Sequence, residues 1–211
     1  MLVWGQIAHV SESEILATHT PALFDDTVEQ PAAILRAGGL VALPTETVYG
    51  LAANALESES VEKIYAAKGR PKKNPIIVHV GSTLMACECV ATWPDAAARL
   101  AKAFWPGPLT LVLPKADCIP DVVTAGGSTV GVRWPSHPLL QAVIRACRFP
   151  LAAPSANMSN HISPTNAEHV RVQMGEALPL IVDGGQSQVG IESTVVEVCE
   201  GSVIVLRPGM I

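Results

Sequence analysis

The sequence predicts a single α/β domain built on a mixed sheet, and three observations support that prediction. A chain of 211 residues suits one sizeable domain, since typical domains run to about 150 residues. Short apolar runs bounded by Gly and Pro alternate with stretches of helical spacing, and strands then cluster near the end. Hydrophobic residues make up 49% and charged residues 16%, against roughly 25% charged in an average globular protein, which disfavours disorder and a long coiled coil. Aromatic residues reach only 4%, so the core falls to Ala, Val, Ile and Leu.

The elements follow in order. Residues 1–30 are polar, with acids at Glu12, Glu14, Asp25, Asp26 and Glu29. They read as an irregular N-terminal extension of weak helical content, ahead of a domain over residues 31–211. A helix is expected over Pro31–Ala37, stopped by Gly38-Gly39. Leu40–Leu43 suits a buried strand. Ser58 can cap the next helix, whose Val61, Ile64 and Tyr65 share a face and which Gly69 and Pro71 end. Ile76–Val80 reads as a strand, Leu84–Cys89 and Asp95–Phe104 as helices. Strands are expected at Leu109–Leu113 and Thr129–Arg133, then a helix at Pro138–Cys147 and a short strand at Leu151–Ala153. Ser163-Pro164 has the form of an N-cap with Pro in the first turn, opening a helix toward Met174. Leu180–Val182, Thr194–Val198 and Val203–Leu206 complete the strands, the last two joined by a hairpin-like loop at Cys199–Ser202.

A net charge of −5 argues against wrapping nucleic acid through charge alone. The cations are nevertheless concentrated: Lys68, Arg70, Lys72 and Lys73 fall within six residues. Five cysteines, Cys87, Cys89, Cys118, Cys147 and Cys199, lack zinc-knuckle spacing and read as reduced thiols. No leader pattern or apolar run of about 18 residues is present, so a cytoplasmic location away from membranes is expected.

The P-loop, dinucleotide and G-x-S-x-G fingerprints are missing. His79, His137, His161 and His169 show no metal-ligand spacing. Four polar constellations remain. Pro44–Gly50 (PTETVYG) follows a buried strand, where open α/β sheets bind ligands; an ordinary polar strand-to-helix loop is the alternative. If the chain is extended there, Thr45, Thr47 and Tyr49 share one side and Glu46 the other. Lys68–Pro75 (KGRPKKNP) holds four cations close together, more than a helix cap needs, and a triphosphate would relieve their repulsion. Ser155-Ala156-Asn157 with Ser163-Pro164-Thr165 offers hydroxyl and amide donors, although such residues also make local turns. Arg133 and Arg207 each end an expected strand near Glu192-Ser193-Thr194, a place for carboxylate or phosphate forks or for surface salt bridges. Together they suggest an anion pocket at strand ends in which positioning and charge stabilisation dominate.

In order, PTETVYGL, KGRPKKNPIIVHV, FWPGPLTLVL, GVRWP, APSAN…SPT, DGG…GIESTVVEV and LRPG resemble the YrdC-like threonylcarbamoyl-AMP synthases, from about Gly38 to the C-terminus. The resemblance, to the short single-domain form or to a piece of a longer relative, implies a twisted, open mixed sheet with a concave basic surface. The implied reaction joins L-threonine, bicarbonate or CO2, and ATP into threonylcarbamoyl-adenylate and pyrophosphate. Partner proteins then transfer the group to adenosine 37 of tRNA. Carried onto this sequence, the family's threonine site falls on Thr47, His79, Arg133, Ala153 (through its backbone) and Ser193. Its ATP site falls on Arg70, Asn74, Thr129, Ser155, Asn157, Ser163 and Arg207, with Lys68 and Arg70 as catalytic cations. The implied chemistry is capture of CO2 by threonine's amino group as a carbamate, whose oxygen attacks the ATP α-phosphorus. Mg2+ held mainly by the phosphates would help offset charge on the departing pyrophosphate.

Three departures stand out. Asn160-His161 replace a Gly of the family pattern, and Asn can serve if the loop needs a positive φ. Glu197 replaces a usual Asp. The chain stops at Ile211, directly after Arg207-Pro208-Gly209, where longer relatives continue through a linker into a second domain. Two competing readings are an RNA-binding module without catalysis, to which a weak tRNA or double-stranded RNA affinity would belong, and a carbamoyl-transfer domain.

Overall fold

The computed structural model describes residues 14–17 and 21–211. Among these, ten strands join one mixed sheet flanked by helices on both faces. In chain order the elements are β1 (Glu14–Ala17), α1 (Pro21–Arg36), β2 (Val41–Leu43), β3 (Gly50–Asn54), α2 (Ser58–Lys68) and β4 (Val78–His79). Then come α3 (Thr83–Glu88), α4 (Asp95–Phe104), β5 (Leu109–Pro114), α5 (Asp121–Thr124), β6 (Thr129–Arg133), α6 (Pro138–Cys147) and β7 (Leu151–Ala152). The chain closes with α7 (Ala167–Met174), β8 (Leu180–Asp183), β9 (Thr194–Cys199) and β10 (Ser202–Arg207). Strand order is β1-β8-β2-β3-β7-β4-β6-β5-β9-β10. The β1–β8, β8–β2, β4–β6 and β5–β9 pairs are parallel, and the other five are antiparallel.

Alternation along the strands divides the core in two. Val41, Leu43, Leu180 and Val182 face a cluster with Ala32 and Leu35 of α1 and with Leu139, Leu140, Val143 and Ile144 of α6. Ala42, Leu51, Ala53, Val78 and Val132 point the other way, onto Val61, Ile64 and Tyr65 of α2 and onto α4, α5 and α7. The central strands are thus covered on both faces, as the aliphatic composition requires, whereas β10 at the sheet edge is exposed throughout.

Several elements differ from the sequence reading. The irregular extension expected over residues 1–30 lies largely outside the described residues, but its described part holds β1, paired with β8, and the start of α1 at Pro21, with Pro31 in the helix interior. Pro31 looks like a first-turn signal, but packing of Ala32 and Leu35 outweighs the missing backbone bond. Pro44–Gly50 leads from strand to strand: β2 and β3 are an antiparallel pair, Val41 opposite Ala52. Glu57, rather than Ser58, holds the N-cap position of α2. The expected cap at Ser163-Pro164 gives way to Asn166, whose side chain accepts the His169 N–H and starts α7 at Ala167.

Candidate functional site

Backbone hydrogen bonds weave three of the motif loops together. Tyr49 N–H donates to Pro164 O (2.8 Å) and Ala156 N–H to Tyr49 O (2.8 Å). Ser187 N–H reaches Thr165 O, Val189 N–H reaches Glu46 O, and Gly190 N–H reaches Thr47 O. The PTETVYG, PSAN…SPT and DGG…GIEST segments therefore meet because each satisfies the others' buried backbone groups. Thr45 folds its own loop: its Oγ1 accepts the N–H groups of Thr47 (3.0 Å) and Val48 (3.2 Å), a Thr turn in place of the extended chain expected. Tyr49 Oη donates to Gly185 O (2.7 Å) and accepts the Gly184 N–H, tying this loop to the end of β8.

These loops and the ends of β4 and β6 enclose a cavity of about 160 Å³, below the roughly 300–1,000 Å³ usual for small-molecule sites. Thr47, Arg70, His79, Arg133, Ala153, Ser155, Ser193 and Arg207 all line it. Eight of the expected site residues thus converge, and all three arginines share one cavity.

Arg133, at the end of β6, is buried. Its Nη2 pairs with Glu46 (2.8 Å) and donates to Thr47 Oγ1 (3.0 Å), while Nε donates to Gly107 O (3.3 Å). His79 lies beside it on the parallel register of β4 and β6. Burial, with a smaller contribution from Arg133, pushes the His79 imidazole down to about 3, so the ring is neutral at pH 7, and its buried Nδ1 has no hydrogen-bond partner among the described residues. Ser193 Oγ meets Thr110 Oγ1 (2.8 Å), and Arg207 Nη2 donates to the Ser193 carbonyl (2.8 Å) and hydroxyl (3.2 Å).

Gly69, left-handed at φ 58°, closes α2 and turns the chain into Arg70. Arg70 Nε and Nη2 donate to the carbonyls of Asn74 (3.2 Å) and Pro75 (2.8 Å). Asn74 serves this cradle through its backbone, which also accepts from Tyr65 Oη. Desolvation lowers the Arg70 pKa, as expected of a cation held at a cavity wall.

The remaining expected residues stand outside the lining. Lys68 is buried, and its Nζ donates to the carbonyls of Ser155 and Asn157, so its ammonium sits beneath the PSAN loop instead of in the cavity. Burial, then repulsion from Arg70, lowers it to about 7. Asn157 Nδ2 donates to Met158 O and His161 O, bracing the following turn. Asn160 there has φ 67°, the left-handed conformation anticipated for this departure. Ser163 Oγ donates to the Glu192 carboxylate. Thr129 begins β6, four residues from Arg133, and lines a different hollow with Trp93, Arg99 and Glu197; the structure does not bring it to the arginines.

Two acids complete the site and had no role from sequence. Glu192 lines the cavity. Glu46 lies behind Arg133; burial pushes its carboxyl up, but the charge and hydrogen bond of Arg133 and the Ser136 N–H outweigh that, leaving it below the ordinary value. Only their places beside Thr47 and Ser193 hinted at them; Glu46 is buried and so needs a partner, while Glu192 is half-buried.

The Sua5/YciO/YrdC family model, described as telomere recombination, matches residues 33–209. The threonylcarbamoyl-AMP synthase of Bacillus subtilis is 49% identical over 88% of this chain and 54% of its own length. That of Pyrococcus abyssi is 48% identical over 84% and 52%. A structure of P. abyssi Sua5 complexed with L-threonine superposes with a TM-score of 0.87 at 44% identity, covering 92% of this chain and 56% of that one. Escherichia coli YciO shares the fold, with a TM-score of 0.82 at 22% identity over 94% and 96% of the two chains. This chain spans about half the length of the synthases it matches. With six of the seven ordered motifs lining one cavity and a family match over most of its length, the chain belongs to the Sua5/YciO/YrdC family.

Proposed function

We propose that this domain catalyses nucleotidyl transfer, joining L-threonine, bicarbonate or CO2, and ATP into threonylcarbamoyl-adenylate and pyrophosphate. Downstream proteins would carry the product to tRNA. One observation carries the reading: Arg70, Arg133 and Arg207 line a single cavity beside Thr47, His79 and Ser193, so a polyanion and a small zwitterion can be held side by side. The likeness to a Sua5 structure complexed with L-threonine supports it.

In this reading Arg133 and Thr47 receive the threonine carboxylate. The neutral His79 ring and the Ser193 hydroxyl offer polar contacts to the rest of the amino acid. Arg70 and Arg207 face the triphosphate. The ammonium gives up a proton to water, the free amine takes up CO2 and loses a second proton to water to form a carbamate, a carbamate oxygen attacks the α-phosphorus, and pyrophosphate leaves with the bridging electrons. Among the described residues no carboxylate but that of Glu192 lines the cavity, so the protein acts mainly by holding the reactants in line and stabilising charge. Mg2+ fits a site of this kind: it is commonly held by one or two carboxylates plus substrate phosphates, and Glu192 supplies the carboxylate. Bound there, it would offset phosphate charge. Lys68 acts from beneath, fixing the carbonyls of the Ser155–Asn157 loop.

The test is pyrophosphate release from ATP with and without threonine and bicarbonate, the adenylate being identified by mass spectrometry. Release dependent on both substrates is expected. Release indifferent to both, or tRNA binding with no release, would overturn the reading.

A further inference from the structure

A buried ion pair stands directly behind the amino-acid end of the cavity. The side chains of Arg133 and Glu46 are 4% and 6% exposed, so neither charge is appreciably screened by water. One carboxylate oxygen, Glu46 Oε1, accepts from both Arg133 Nη2 (2.8 Å) and the Ser136 N–H (3.1 Å). It thereby links the end of β6 to the loop entering α6. The guanidinium has five N–H donors. Nη2 serves Glu46 and Thr47, Nε serves Gly107 O, and Nη1 takes part in none of the hydrogen bonds found among the described residues. Glu46 is not itself a cavity-lining residue, whereas Arg133 is.

We infer that Glu46 is a positioning residue that holds the Arg133 guanidinium so that its Nη1 end is left for the substrate carboxylate, and whose charge makes the pocket select a net-neutral zwitterion over a simple anion. The inference rests on the threonine-dependent reading above. Its physical basis is charge balance. Arg133 and Glu46 together are neutral, so an amino acid zwitterion enters without creating net charge in a desolvated site. Arg133 without Glu46 would be an uncompensated buried cation, and any small carboxylate would relieve it. Glu46 therefore discriminates by charge as well as by geometry.

The experiment uses the whole chain, with Glu46→Gln and Glu46→Asp, and sodium acetate as the anion probe. Wild-type pyrophosphate release should be nearly indifferent to millimolar acetate. Glu46→Gln should raise the threonine KM by about tenfold or more while the ATP KM stays within about twofold, since the loss falls on one substrate only. It should also make acetate a competitive inhibitor against threonine, which a merely structural lesion would not do. Glu46→Asp keeps the charge but falls one methylene short of bridging Arg133 and Ser136. Its threonine KM should rise without new acetate sensitivity. Thermal melting identifies a Gln variant that fails to fold, and the Asp variant then decides alone. A threonine KM within about twofold of wild type in every folded variant, or threonine and ATP KM rising together, overturns the inference, as does an acetate response unchanged in a folded Gln variant. Wild-type protein without threonine-dependent release defeats the functional reading instead. Calorimetric threonine binding then reads the same contrast between variants, and no threonine binding at all defeats both.

Discussion

Gly209→Ala should disable nucleotide handling while leaving the fold nearly intact. A Cβ at Gly209 would lie 2.5 Å from Glu192 O, from the Ser193 carbonyl carbon and from Thr194 N. All three are backbone atoms at the start of β9, so no side chain can swing aside. Ordinary contact requires about 3.4 Å, and the C-terminal segment would have to lift by nearly an ångström. That segment carries Arg207 and is pinned where Ile211 N–H donates to Thr194 Oγ1 (2.9 Å). The lift would stretch the 2.8 Å bond from Arg207 Nη2 to Ser193 O past hydrogen-bond range. A hydrogen bond to a charged group contributes about 1.5–3 kcal/mol when sheltered. At the cavity mouth, with solvent near, about 1 kcal/mol each for two bonds is the better figure. The expected loss is therefore about 10–100-fold in kcat/KM for ATP, consistent with the cost of a 1 Å misplacement in an active site. Only a terminal segment moves, so the melting temperature should fall by just a few degrees. Steady-state pyrophosphate release and circular-dichroism melting measure the two effects. Kinetics within about twofold of wild type would show that this close approach does not hold Arg207 in place, and a melting collapse equal to the kinetic one would assign Gly209 to the fold.

Arg70→Ala should impair ATP use much more than threonine use, and Arg133→Ala the reverse, by about tenfold or more in the affected KM. Equal, small effects on both substrates would contradict the division of the cavity. Lys68, lowered to about 7, is largely neutral at pH 8, and an arriving triphosphate favours its charged form. ATP binding at pH 8 should therefore take up protons, with uptake vanishing below about pH 6, where the group is already charged. Calorimetry in buffers of different ionisation enthalpy measures this, and zero uptake at pH 8 would count against any coupling of Lys68 to the phosphates. Between pH 7 and the ordinary lysine value the unfolded chain holds the extra proton, so the same shift makes stability rise with pH across that window. Among the thiols, exposed Cys118 and Cys199 should label quickly at pH 8. Cys89 and Cys147, pushed up by burial to about 12 and about 11, should label only on unfolding, and rapid modification of either would contradict their burial.

Legibility of the fold tracked the strength of each local signal. The helices at Asp95–Phe104 and Pro138–Cys147 and the strand at Thr129–Arg133 match the sequence reading residue for residue, because an apolar stripe or strict alternation ran from end to end. Gly50–Asn54 was passed over as a strand: GLAAN has no β-branched residue and is buried on both faces, so neither propensity nor alternation marked it. Asp121–Thr124 makes a single turn, too short to show a helical period. Pro164 looked like a helix opener, yet its carbonyl is taken by Tyr49 N–H. That tertiary bond engages the Pro164 carbonyl, and the helix starts only after Asn166 caps it.

The site divides along the same line. Strand-end arginines and a cation cluster are visible in a sequence because a charge must sit somewhere, and ends of strands are where open sheets leave room. Which acid answers which arginine is not visible. Glu46 precedes Arg133 by 87 residues, and nothing local couples them. Net charge misleads for the same reason. The chain carries −5 overall, yet among the described residues the charged side chains lining the cavity are Arg70, Arg133 and Arg207 against Glu192. With a Debye length of about 8 Å at physiological ionic strength, acids elsewhere on the surface scarcely reach a ligand inside. A chain of negative formal charge thus lines this cavity with more cations than acids, a local balance that the formal charge does not report.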